Sequence, residues 1–126
     1  PFRFSLGIGC RKGTSCGEIG KAVNVVLERY GISMDAIAVV ASADVKAQEK
    51  GLFDFVEKYR KELRFFTAEQ LNAVPVPNPS KHAMEHLGIH SVSEASALLG
   101  AGEGGTLFAE KTVFDAVTVA LAKLRE

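Results

Sequence analysis

The chain has 126 residues, the length of one ordinary domain, and its 15 lysines and arginines balance 15 aspartates and glutamates for a formal net charge of zero. No overall field draws such a protein to nucleic acid or to an anionic membrane, so charge-based recognition has to be local. No apolar run approaches the roughly 20 residues of a membrane helix, and the opening residues lack the basic-then-apolar pattern of a signal peptide, which predicts a cytoplasmic protein. Cys10 and Cys16 are the only cysteines, and without zinc-type spacing they read as free thiols in a reducing compartment. Residue 1 is proline, not methionine, as in a processed product, a trimmed chain or a domain of something larger.

In chain order, Phe4, Leu6 and Ile8 stand at strand spacing, and Gly7 to Ser15 follows as a glycine-rich loop. Ser15 and Glu18 have capping-box spacing, and Ile19, Ala22, Val23, Val26, Leu27 and Tyr30 share one helical face that ends at Gly31. Ala36 to Ala41 is an unbroken apolar run of strand length, as in a strand buried on both faces of a parallel sheet. Ser42 to Lys46 then leads to a second helix carrying Leu52, Phe55, Val56 and Tyr59 on one face. Leu63 to Phe66 predicts a short strand, and Thr67 with Gln70 caps a brief helix.

Pro75, Pro77 and Pro79 break the pattern as a loop within the domain. Pro79 suits the first turn of a helix running to Gly88, and Ser91 with Glu94 caps another ending near Gly100. Thr106 to Ala109 and Ala116 to Ala122 read as two final strands, although Phe114, Val117, Leu121 and Leu124 also satisfy a helix. The order of elements predicts a single three-layer α/β/α domain, residues 1–126, with a mixed, partly parallel central sheet.

The loop after the first strand carries the chemistry. Backbone amides at a helix start, with Arg11 and Lys12 beside them, form a place for an anion, with Gly9, Cys10, Gly13, Thr14 and Ser15 as further ligand-binding candidates. The alternative is that the glycines only turn the chain. Neither the dinucleotide-binding nor the P-loop glycine spacing is present. In a parallel sheet the loop after the second strand opens at the same edge and brings Ser42, Asp44, Lys46 and Glu49 into that crevice. These groups could bind a polycarboxylate and perform acid-base work, or simply cap a helix as solvated surface residues. Lys111, between the last two strands, reads as a hairpin lysine. His82-Ala-Met-Glu-His86 matches an H-x-x-E-H zinc pattern, but a pattern so short is commonly met by chance, so no metal site and no cofactor are predicted.

Gly7-Ile-Gly-Cys-Arg-Lys-Gly-Thr-Ser15, Ser42-Ala-Asp-Val-Lys-Ala-Gln-Glu-Lys-Gly-Leu52, Ser91-Val-Ser-Glu-Ala-Ser-Ala-Leu98, Lys111 and Val117-Thr-Val-Ala120 together resemble the CobE and CbiG C-terminal family of cobalamin biosynthesis. The resemblance runs through nearly the whole chain in order. It departs at Ala43, where the family usually has a larger aliphatic residue, and in the absence of the additional domains that precede this one in the longer hydrolase. The resemblance implies a precorrin or cobalt-precorrin ligand, whose acetate and propionate arms suit Arg11, Lys12, Lys46 and the amino end of the first helix, with Lys111 as a further ligand-binding candidate. Other enzymes of the pathway are the implied protein partners. It also implies an activity, cobalt-precorrin-5A hydrolysis, in which a lactone is opened and acetaldehyde released. Asp44 or Glu49 would then activate water, and Lys46 or the backbone amides of the glycine loop would stabilise the oxyanion. A non-catalytic carrier of the CobE type, and a small domain for another carboxylate or phosphate, are the alternatives.

Overall fold

The computed structural model describes residues 2–126, so the remarks on Pro1 lie outside it. Strand β1 (Phe4–Cys10) leads through helix α1 (Cys16–Tyr30) to β2 (Ile37–Ala43), and α2 (Lys50–Tyr59) leads on to β3 (Glu62–Phe66). Three helices follow, α3 (Ala68–Asn72), α4 (Lys81–Leu87) and α5 (Ser93–Ala101), before the hairpin of β4 (Thr106–Val113) and β5 (Val117–Lys123). The five strands form one sheet in the order β3-β2-β1-β5-β4. β1, β2 and β3 pair in parallel, while β5 pairs antiparallel with both β1 and β4. This is the mixed, partly parallel α/β architecture that the order of elements predicts.

The two faces of the sheet are built from different residues. Phe4, Leu6 and Ile8 of β1 and Val117, Val119 and Leu121 of β5 pack with Ile19, Val23 and Val26 of α1 and Leu52 and Phe55 of α2 in the main core. The alternate residues point to the other face, as period-two geometry requires. There Gly7 lies between Ala41 and Ala120, and Gly9 lies opposite Thr118. Helix α5, itself built of Ser93, Ala95, Ser96, Ala97 and Gly100, covers that row of small residues. Small residues on both partners let the helix backbone approach the sheet closely. A Cβ on Gly7 would collide with the Ser93 carbonyl oxygen and lie 2.8 Å from the Ala97 nitrogen and Cβ.

Several boundaries move for physical reasons. β1 continues to Cys10, so Gly7 and Gly9 are strand residues and the loop is Arg11 to Ser15. β2 continues to Ala43 and takes buried Ser42 with it; the Ser42 hydroxyl donates to the Ile8 carbonyl at 2.6 Å. Pro79 lies outside α4, whose cap is Ser80, its Oγ accepting from the Ala83 amide at 3.0 Å. The cap residue of α5 is Val92, not Ser91; Ser91 Oγ instead reaches the Ala95 amide at 3.1 Å. Lys111 lies within β4 rather than between the strands. The final segment is a strand, and the helical reading of Phe114 to Leu124 fails because Val117, Val119 and Leu121 alternate with Thr118, Ala120 and Ala122 across two packed faces. The capping box of Thr67 and Gln70 is present in full.

Candidate functional site

Beyond the carboxyl end of β1, the loop after it, α4, the start of α5 and the β4–β5 hairpin enclose a cavity of about 550 Å³. That volume lies in the roughly 300–1,000 Å³ range of small-molecule sites. Val92, Ala83, Leu87, Val113, Phe114 and Val117 supply apolar wall, and Arg11, Lys12, Lys46 and Lys111 bring cationic groups from three separate segments. Asp115 is the acidic residue that faces them, and His82 and His86 line the α4 side. A cavity with this charge balance and these apolar walls favours an anionic ligand with an apolar body.

Arg11 and Lys111 are placed by local structure. The Arg11 amide donates to the Ala116 carbonyl at 2.9 Å, which ties the loop to the hairpin, while its exposed side chain is free to move toward the cavity. Thr14 Oγ1 donates to the Arg11 carbonyl at 2.6 Å and tightens the turn, where Gly13 takes a φ of 82°. Lys111 Nζ donates to the Asn78 carbonyl at 3.1 Å. Its backbone amide donates to Glu94 Oε2 at 2.8 Å. Glu94 is wholly buried and also accepts from the Asn78 amide at 3.1 Å and from Asn78 Nδ2 at 2.8 Å. The proline-rich loop, α5 and β4 are thus pinned together around one satisfied carboxylate.

The two loops expected to converge do meet: the Gly13 amide donates to Glu49 Oε1 at 2.9 Å. That bond occupies an amide expected to serve an anion, and the Glu18 amide is taken in the same way by the α1 cap Ser15. Gly9, Cys10, Arg11, Lys12, Lys46 and Lys111 line the cavity. Gly13, Thr14, Ser15, Ser42, Asp44 and Glu49 stand outside its lining; Asp44 is exposed, and the other five shape the loops or the sheet. Burial pushes the Cys10 thiol above its ordinary range, against a smaller opposing pull from Lys46, so it is held protonated at neutral pH.

Other lining residues have no ligand role in the sequence reading. His82 and His86 stack with ring centroids 4.1 Å apart, and His86 Nδ1 donates to the His82 carbonyl at 3.0 Å. Among the described residues no cluster of three or more His, Cys, Asp and Glu side chains is placed to hold a metal. Val92, Ser93 and Thr118 also line the cavity, and the signal for them is the small residues Ser93, Ser96, Ala97 and Gly100 matched to the small alternate residues of β1 and β5.

Comparison with known proteins gives a consistent result. The family model for the cobalamin synthesis G C-terminus matches residues 4–122. The chain is 30% identical over 122 residues to the cobalt-precorrin-5A hydrolase of Priestia megaterium, covering 97% of this chain and 32% of that protein. It is 31% identical over 119 residues to protein CobE of a Sinorhizobium species, covering 93% and 77%. The crystal structure of CobE, a protein from the cobalamin (vitamin B12) biosynthetic pathway, superposes with a TM-score of 0.92 at 30% identity, covering 99% of this chain and 92% of that one. The chain thus spans about a third of the hydrolase and most of CobE. A match through almost its whole length in sequence and in fold makes this chain a member of the cobalamin synthesis G C-terminal family.

Proposed function

We propose that the chain binds a precorrin or cobalt-precorrin intermediate of cobalamin biosynthesis in the cavity beyond β1, by its carboxylate arms and its apolar macrocycle. The observation that carries the reading is the convergence of Arg11, Lys12, Lys46 and Lys111, from three separate segments, on one apolar-walled cavity. A ligand with several acetate and propionate arms needs such dispersed cations, whereas a single phosphate or carboxylate would need only one cluster. The reading carries with it a cytoplasmic location and other enzymes of the pathway as partners.

Absorbance titration with a cobalt corrinoid bearing free carboxylate arms tests it, with the Arg11→Ala, Lys12→Ala double variant alongside. Both side chains are exposed, so the variant keeps the fold. Saturable micromolar binding, weakened about tenfold or more in the variant, is the expected result, equivalent to about 1.4 kcal/mol. Absence of binding by the wild-type chain contradicts the reading.

A second reading is favoured by the 30% identity to the hydrolase. In it Asp44 or Glu49 activates water toward the lactone and Lys46 stabilises the oxyanion. Lys46 is in place to meet a ligand in the cavity, whereas Glu49 is engaged by Gly13 and would have to release it. Release of acetaldehyde from the substrate supports the hydrolytic reading, and tight binding without release supports a carrier.

A further inference from the structure

We propose that His86 is an axial ligand for the cobalt of the bound corrinoid, its Nε2 meeting the metal from the α4 side of the cavity, so that the site favours a cobalt-bearing macrocycle over a metal-free one. The inference deepens the corrinoid-binding reading and rests on it for the macrocycle. The ligating atom itself rests on three observations.

First, the tautomer of His86 is set. Its Nδ1 lies 3.0 Å from the His82 carbonyl oxygen, which can only accept. Nδ1 therefore carries the proton, and the neutral ring keeps its lone pair on Nε2. A ring N–H held by a backbone carbonyl is the arrangement that orients histidines which ligate metals. The His82 ring stacks on the His86 ring, with centroids 4.1 Å apart, and restricts its rotation further.

Second, His86 stands on a wall suited to the macrocycle rather than to its arms. α4 turns His82, Ala83, His86 and Leu87, one helical face, toward the cavity, while Lys81 of the same helix is outside the lining. The cations enter from the loops after β1 and β2 and from β4. Carboxylate arms are thus served from one side, and imidazole beside apolar carbon is offered from another. Both imidazoles are exposed, so a ligand reaches them. The helix that carries them is fixed at both ends: the Ser80 amide donates to the His90 carbonyl at 2.6 Å, and Asn72 Nδ2 donates to the Gly88 carbonyl at 2.8 Å.

Third, the other lining groups suit cobalt less well. Thiolate, not thiol, binds metals, and burial holds the Cys10 thiol protonated. Lysine and arginine side chains carry no acceptor. The Asp115 carboxylate is a hard oxygen donor, better matched to magnesium or calcium, whereas imidazole matches first-row transition metals.

The probe is a cobalt(II) corrinoid with free carboxylate arms and no nitrogenous base of its own, with its metal-free counterpart beside it. The unpaired electron of such a cobalt points along the axial direction, so an axial nitrogen splits each cobalt line of the electron paramagnetic resonance spectrum into a triplet. Labelling the protein with heavy nitrogen turns that triplet into a doublet. Wild type is expected to show both patterns and His86→Ala neither, while His82→Ala, which keeps the carbonyl that holds His86, retains the triplet. His86→Ala is also expected to weaken binding of the cobalt form about tenfold, the scale of a change in a metal's ligand shell, and to leave the metal-free form unaffected. The His86 side chain is exposed, so an unchanged thermal midpoint accompanies the loss. Binding seen by absorbance without nitrogen splitting overturns the axial ligand and leaves the corrinoid reading standing. A triplet that survives His86→Ala, or an equal loss of affinity for both corrinoids, overturns the assignment to His86. Failure of wild type to bind either corrinoid overturns the corrinoid reading, and this inference with it.

Discussion

A methyl group on Gly7 would meet the backbone carbonyl of Ser93, which cannot swing aside as a flexible side chain could. Relief requires α5 to lift from the sheet, and with it the cavity wall at Val92 and Ser93. Gly7→Ala is predicted to cost about 3 kcal/mol or more in urea denaturation, at the upper end of overpacking effects. Gly20, inside α1, has open space where its Cβ would go, and Gly20→Ala is predicted to stabilise the protein by about 0.5–1 kcal/mol through helix propensity. Equal effects of the two substitutions would refute the close-approach account of Gly7. These glycines also show where a sequence misleads at the scale of single residues. Three glycines beside Arg11 and Lys12 resemble an anion loop, yet only Gly13 takes a positive φ; Gly7 and Gly9 are the small-side residues of a strand whose large-side residues are Phe4, Leu6 and Ile8. Strand alternation was visible in Phe4, Leu6 and Ile8, but the helix requiring small residues opposite is more than 80 residues away.

At the scale of elements, the helices were legible where capping and periodicity agree. α1 with Ser15 and Gly31, and the Thr67–Gln70 box of α3, follow the sequence pattern directly. α5 was harder because six of its nine residues are serine, alanine or glycine, which carry little periodic contrast. Glu94 illustrates the difficulty: its spacing from Ser91 resembles a capping box, but its carboxylate instead joins Asn78 of the proline-rich loop to the Lys111 amide of β4. No local spacing reveals a bond across 16 or 17 residues of chain. Glu94→Ala leaves those amides buried without acceptors and is predicted to lower stability by about 3 kcal/mol, read from denaturant midpoints. It should also speed proteolysis in the segment 75–80, since that segment loses its anchor. A variant as resistant as wild type would show that the segment is held by other contacts.

At the scale of the molecule, a chain of zero net charge gathers cationic side chains on one apolar cavity, and the sheet order makes this possible. The two parallel crossovers put the loops carrying Arg11 and Lys46 at one sheet edge, and insertion of β5 beside β1 brings the hairpin residues Phe114 to Thr118 against the same loop. The parallel half of that arrangement follows from strand and helix alternation, and so the contributions of Arg11, Lys12 and Lys46 were readable from the sequence. The antiparallel half was not, because nothing in the hairpin sequence says which strand it joins. Lys111 and the α4 histidines were therefore given no place in the cavity by periodicity alone.

The central claim is that this cavity is where a corrinoid binds, and the position of the cobalt is its most direct test. A crystal of the chain with a carboxylate-bearing cobalt corrinoid, measured at the cobalt absorption edge, yields an anomalous peak that marks the macrocycle centre. The account predicts one peak at the mouth of the cavity, with the corrinoid's arms reaching Arg11, Lys12 and Lys111. A fully occupied peak on another face of the sheet, with the cavity unchanged, would contradict it.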